Sequence, residues 1–392
     1  MFLKFKFRAR KEQFPWSSQR FLKGYSVIKK PLRNRFLGLQ EPIIVEWGNS
    51  IERYFPEDRD LMRSCLHLLL WIGLLLTAAA CAPAITRTPT LVPSPSPAGS
   101  ALRGVFEGIT PCSAQTRPLP QIPADTDCEL MIWKIVLHED SATGTPTAYT
   151  LTSAYGVSQA NTTNPAGGGT PIVMEGNWGI VKGTKTDPGA EVYQLYSNDS
   201  QVAASFIKMS ADLLHVLNKD LSLMVGNGAW SYTLNRTDNQ TPYVAQPVSE
   251  PPLPTRPPIP RTPPGSSVLG AFEGRFPCHE MVFEILKITP YPGCLKIKSR
   301  LTLYQDQTTG APSSYMYMGT STIREGTWTI VQGMESDPDA VIYQIQLDGS
   351  QKPVSFLKVD ENHLFLLDRD LNLLVGNALF SYTLSRVEKN TP

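Results

Sequence analysis

Sulfur carries most of the chemistry this sequence can offer. Four of its six cysteines form two pairs of identical spacing, Cys112 with Cys128 and Cys278 with Cys294, each sixteen positions apart. Paired cysteines either present thiolates to a soft metal ion or oxidise to a disulfide. The metal option has its best set of ligands at Cys278, His279 and Met281, soft or borderline donors for Cu(I), with Met316 and Met318 sharing one face of a strand. The first pair offers Ser113 and Ala114 where the second has His279 and Glu280. We therefore read each pair as a disulfide, Cys112–Cys128 and Cys278–Cys294, with His279 exposed and the methionines filling gaps in a core. Pairing between the repeats is the alternative, and it would have to bridge the linker. A loop of about fifteen residues closed this way gains roughly 3 kcal/mol on the chain-entropy model.

Other reactive constellations are poorly supplied. His138, His215 and His363 are scattered and lack metal-ligand spacing, and no histidine recurs at matched repeat positions. A nucleophile–base pair would thus exist in one repeat only. Glu107 and Glu175 could form a carboxylate pair for glycoside hydrolysis, but both sit beside glycines at expected strand ends. Phosphate-binding glycine loops, HExxH and DxDxDG patterns are absent from the sequence. The expectation is a protein without catalytic residues and without a cofactor.

The cysteine pairs belong to a longer duplication. Gly104-Val105-Phe106-Glu107-Gly108, then Pro111-Cys112, returns as Gly270-Ala271-Phe272-Glu273-Gly274, then Pro277-Cys278. Glu175-Gly176-Asn177-Trp178 returns as Glu325-Gly326-Thr327-Trp328, and the closing stretch 221–234 as 371–384, including Val-Gly-Asn and Ser-Tyr-Thr-Leu. The first copy alone carries Asn161-Thr162-Thr163-Asn164-Pro165-Ala166-Gly167-Gly168-Gly169, which reads as a loop. A period this long means duplicated domains rather than a solenoid. Within each copy short alternating runs, such as Val192-Tyr193-Gln194-Leu195-Tyr196, are punctuated by turns such as Asp187-Pro188-Gly189 and Asp348-Gly349. Residues 295–304 alternate as well, with a slip at Ser299. The pattern predicts an all-β chain of two tandem small antiparallel barrels at 102–236 and 268–388, with Trp178, Trp328, Tyr232 and Tyr382 in their cores. A Pro/Ser/Thr stretch at 81–101 precedes them. A Pro-rich linker at 237–267 joins them, with little contact expected between the two modules unless their sheets dock.

The ordered set Gly104/Phe106/Gly108/Pro111/Cys112, Tyr149, Glu175-Gly176-Asn177-Trp178 and Tyr193, with Leu364-Phe365-Leu366-Leu367-Asp368 in the second copy, resembles the N-terminal domain of NlpE-type copper-resistance lipoproteins. That resemblance implies a lipocalin-related barrel in the cell envelope, with roles in copper tolerance, surface sensing or envelope stress and no turnover. The family usually places Cys-x-x-Cys after the proline. Here Ser113-Ala114-Gln115 and His279-Glu280-Met281 follow the first cysteine instead, so copper ligation does not carry over.

Upstream, 66–80 is an apolar run too short for the roughly twenty residues of a membrane span. It ends Ala78-Ala79-Ala80 before Cys81. With Met62-Arg63 in front, 62–80 reads as a signal peptide. The junction resembles the lipobox of bacterial lipoproteins, with Ala78 where leucine is usual, and Cys81 would then be lipidated. The alanines also fit an ordinary cleavage site, and an uncut anchor is the third option. Residues 1–61 carry 13 Lys/Arg against 7 Asp/Glu and look like a basic extension outside the mature protein. Residues 64–392 carry 22 against 28, mildly acidic, which argues against a nucleic-acid partner.

Together these features predict a monomeric, extracytoplasmic, membrane-anchored bacterial lipoprotein with two binding or sensing barrels. Its partners would be the membrane, through lipid on Cys81, and an envelope protein. The alternative is a lipocalin-like carrier of a small apolar ligand. A packed interior favours the first and an open apolar cavity the second. Exported protein is expected to carry a diacylglyceryl group on Cys81 and no free thiol among the other four mature cysteines. Intact mass with and without reduction checks both.

Overall fold

A computed structural model describes residues 99–113, 116–240, 262–320, 322–347 and 352–387. Residues 1–61, the stretch 62–80 expected to be a signal peptide, Cys81, most of both Pro-rich stretches and the Asp348-Gly349 turn lie outside the described residues.

Each repeat is an eight-stranded antiparallel meander closed into a barrel. The first comprises β1 (Ser100–Pro111), β2 (Leu130–Asp140), β3 (Pro146–Gly156), β4 (Thr170–Lys182), β5 (Glu191–Tyr196), β6 (Val202–Lys208), β7 (Leu213–Val216) and β8 (Thr233–Arg236). The second comprises β9 (Ser266–Pro277), β10 (Lys296–Asp306), β11 (Pro312–Met318), β12 (Ile323–Met334), β13 (Asp337–Ile345), β14 (Val354–Lys358), β15 (His363–Leu366) and β16 (Thr383–Arg386). First and last strands pair through Phe106 with Arg236 and Phe272 with Arg386. Closure leaves neither meander with a free edge.

The period of two decides which side chains go inside. On β2, Trp133, Ile135 and Leu137 point into the first core while Lys134 faces solvent. Aromatic rings fill both interiors. Trp133 meets Phe206 edge-on at 5.9 Å, and Trp178 with Tyr193 recurs as Trp328 with Tyr343, both pairs at 4.9 Å. Each repeated tryptophan hands its indole N–H to a strand carbonyl, Trp178 to His138 at 2.6 Å and Trp328 to Tyr304 at 2.7 Å. A buried ring with its polar edge satisfied is a core residue, and Tyr232 and Tyr382 are buried alongside.

Both disulfides form within their repeats, with Cα atoms 5.2 Å apart for Cys112–Cys128 and 5.8 Å for Cys278–Cys294. Each staples a loop that plugs its barrel. In the first, Leu119 and Ile122 join the core cluster. In the second, the loop holds a helix, α1 (Glu280–Ile285), where strand and turn alone were expected. Val282, Phe283, Ile285 and Leu286 recur at helical spacing and bury into the second core. The first loop has Pro118, Pro120 and Pro123 at this place, which forbid a helix interior.

One further expectation changes. Ser299 is no slip: β10 keeps register with β9 from Lys296 to Leu303, and Ser299 faces inward, buried, its hydroxyl 2.8 Å from that of Tyr317. The serine breaks the hydrophobic pattern without breaking the geometry, because its hydroxyl has a buried partner. The 161–169 insertion is a loop, as expected: it holds a short 3-10 turn at Ala166–Gly168 and one bridge from Ser158 to Pro165, and the β3–β4 pairing ends at Tyr155 with Thr170.

The repeated Gly-x-Phe-x-Gly closes the barrel. A Cβ on Gly274 would run into the Thr383 carbonyl and approach the Leu384 side chain at 3.0 Å, and Gly108 faces Leu234 and Thr233 in the same way. Gly274→Ala is expected to destabilise the chain by about 1–3 kcal/mol through this crowding, as a lower urea midpoint will show.

Candidate functional site at the face between the barrels

The four-residue strands β7 and β15 are buried on both sides. Leu214 and Val216 point into the first core, and Leu364 and Leu366 into the second. Their alternates Leu213, His215, His363 and Phe365 therefore point outward, yet none is more than 2% exposed. Thr233 and Asn235 on β8, with Thr383 and Ser385 on β16, are outward and buried as well. What covers each outer face is the other barrel. The sheets dock, the exception to the expected lack of contact across the linker: the short hydroxyl-bearing strands of the two barrels meet along a polar face.

Equivalent residues of the two repeats pair with each other. Trp230 stacks on Phe380 with centroids 5.7 Å apart and planes 5° from parallel. The Ser231 and Ser381 hydroxyls lie 2.7 Å apart, and those of Thr233 and Thr383 2.9 Å apart. Contact of like with like is the mark of a two-fold, isologous association, here within one chain. An apolar patch adds Ile109 and Leu130 to the stacked rings, with Leu295 beside them.

The Val-Gly-Asn turns set this geometry. Asn227 Oδ1 accepts from the Ala229 and Trp230 amides at 2.8 and 2.9 Å, and Asn377 Oδ1 from those of Leu379 and Phe380, both at 2.9 Å. Each turn thereby presents its aromatic ring to the other. Gly376 donates its N–H to Asn235 Oδ1 across the face at 2.7 Å, an approach a side chain would block, since its Cβ would lie 2.9 Å from that oxygen. Asn235 Nδ2 donates to the carbonyls of Asn377 at 2.8 Å and Phe380 at 3.3 Å. The recurrence of Val-Gly-Asn and Ser-Tyr-Thr-Leu between 221–234 and 371–384 was the available sequence signal, because polar side chains repeated at core-like positions need a partner.

At one end of this face the histidines that look scattered in the sequence come together. The rings of His215 and His363 lie 4.8 Å apart, near perpendicular. Both Nε2 atoms point at one acceptor, the Met224 carbonyl, at 2.9 Å from His215 and 3.0 Å from His363. His215 Nδ1 lies 3.0 Å from the Thr233 hydroxyl, and His363 Nδ1 2.8 Å from Asp360 Oδ1. Burial, and then the neighbouring His363, push the His215 pKa down to about 3. Burial works to raise the Asp360 carboxyl, but the His363 hydrogen bond and charge outweigh it and leave Asp360 below its ordinary value.

The remaining candidates are dispersed. Cys278 is disulfide-bonded, so its sulfur is not a free thiolate, and exposed His279 accepts the Met281 amide at 3.3 Å as the helix cap. Among the described residues no cluster of three His, Cys, Asp or Glu could hold a metal ion. Met316 is buried on the outer face of β11, opposite to Tyr315 and Tyr317 in the core. Glu107 accepts from the Thr237 hydroxyl at 2.7 Å and pairs with Lys134, while Glu175 is exposed on β4 with β2 and β3 between them. His138 stays apart from the other two, on β2. A cleft of about 520 Å³ opens beside the Cys112–Cys128 bond, lined by Pro111, Ser113, Thr116, Glu129, Asn227 and Trp230.

Comparison with known proteins returns no matching family model, curated protein or solved structure.

Asn235→Ala removes one side chain that serves three cross-barrel bonds and orphans the buried Gly376 amide. Docking is expected to weaken by about 1–3 kcal/mol. In urea the wild-type chain should unfold in a single transition, and the variant in two separated ones.

Proposed function

We propose that this chain is a non-enzymatic, extracytoplasmic lipoprotein whose two barrels act as one docked module for binding or sensing at the cell envelope. The observation that carries this reading is the packing of both barrels. Each is closed, filled by aromatic rings and plugged by a disulfide-stapled loop. A filled barrel works through its outer surface and loops, in contrast to the open cavity that a carrier needs. Two disulfides suit an oxidising compartment, in line with the signal segment and Cys81. The resemblance to NlpE-type lipoproteins supports the same setting. A copper role is not part of the proposal, since the cysteines that could supply thiolates are bonded to each other.

The carrier reading draws on the mixed apolar and polar cleft beside Cys112–Cys128. Titration of the delipidated full chain with a fluorescent fatty acid decides between the two. The packed-module reading predicts no saturable uptake. Stoichiometric uptake that Trp230→Ala abolishes would transfer the function to the cleft.

A further inference from the structure

We propose that the His215–His363 pair is a pH-sensitive latch that holds the barrels together near neutrality and releases them in mild acid. The inference rests on the docked face alone and stands apart from what the barrels bind.

The hydrogen-bond pattern sets the proton count. A backbone carbonyl only accepts, so both Nε2 atoms facing Met224 carry hydrogen. The Asp360 carboxylate lies 2.8 Å from His363 Nδ1 and is spent on that ring. Thr383 can donate to Thr233, and Thr233 to His215 Nδ1, which leaves His215 neutral. A proton added to His215 would create a cation in a fully buried site, 4.8 Å from the His363 ring and with no carboxylate hydrogen-bonded to it among the described residues.

The charged groups on the surrounding elements are already committed. On β6, Lys208 pairs with Glu191 at 2.7 Å, and on β8, Arg236 pairs with Asp238 at 2.9 Å and more distantly with Asp212. Beside β15, Lys358 and Arg386 both pair with Glu361. On β9, Glu273 pairs with Arg300 at 2.8 Å. The Leu221–Asn227 turn contributes no ionisable side chain. Among the described residues, then, Asp360 is the one carboxylate hydrogen-bonded to either ring, and it is spent on His363.

Separation changes the balance. His215 points away from its own core, so undocking returns it to water and to an ordinary pKa of about 6.5. The docked state resists that proton, and its value lies near 3. A histidine whose pKa is depressed by docking favours docking fully above its undocked value. That contribution falls as pH drops from about 6.5 toward 3, by about tenfold in the docking equilibrium per pH unit.

The test uses the full chain from pH 7.5 to 4.5. Small-angle scattering reads the distance between barrels, and histidine ring NMR reads protonation. The expected result is separation of barrels that remain folded, docking about 30-fold weaker at pH 5 than at pH 7, with the His215 ring gaining its proton only as the barrels part. His215→Gln keeps an N–H for Met224 and should flatten the profile. His215→Phe, which copies Phe365 at the matched position, should do the same if the glutamine variant fails to dock. The proposal is overturned if wild-type dimensions stay constant across the range, if His215 titrates near 6.5 in the docked state, or if acid unfolds the barrels before parting them. An unchanged pH response in a docked His215 variant would overturn it equally.

Discussion

A strand of a small barrel has an inside and an outside, and the outside ordinarily faces water. Here β7, β8, β15 and β16 bury the outside as well, and the rest of the structure follows from that constraint. Buried backbone and side-chain polar groups must find partners. On these strands the available outward groups are hydroxyls, amides and two imidazoles. Ser231 and Thr233 are satisfied across the face by their counterparts Ser381 and Thr383, and Asn235 by the 376–380 turn, while the buried Ser385 hydroxyl has no partner among the described residues. A gene duplication that preserves a self-complementary surface supplies such partners without designing a second surface.

The pairing is symmetric in the middle and asymmetric at the edges. Serine meets serine and threonine meets threonine, but His215 is matched in the repeat by Phe365, and His363 by Leu213. Both imidazoles thus converge on the first barrel's Met224 carbonyl, with no counterpart pair on the other side of the axis. Asn235 reaches across to 376–380, whereas its counterpart Ser385 is too short to return the same bonds. Departures from the repeat are therefore where a docked tandem differs from two copies of one barrel. They also hold the titratable groups.

The repeat and its strand pattern placed Trp178, Trp328, Tyr232 and Tyr382 in the cores, and the shared sixteen-residue spacing paired the cysteines, all legible along the chain. Ser299 and α1 were not, for a common reason. An inward serine is permitted only if some distant strand offers a hydroxyl, as Tyr317 does. A single helical turn is stable only because Val282, Phe283 and Ile285 find a barrel mouth to fill. Neither condition is visible locally.

Local chemistry alone determined the class of fold, the duplication, the disulfides and the core aromatics, because side-chain period, turn residues and cysteine spacing act within a few neighbours along the chain. The meeting of His215 with His363, the burial of the Ser-Tyr-Thr-Leu strands and the stacking of Trp230 on Phe380 were decided by tertiary structure. They join residues about 150 positions apart. What brings them together is the need of two outer faces to cover each other's polar groups, a requirement that exists only after both barrels have closed.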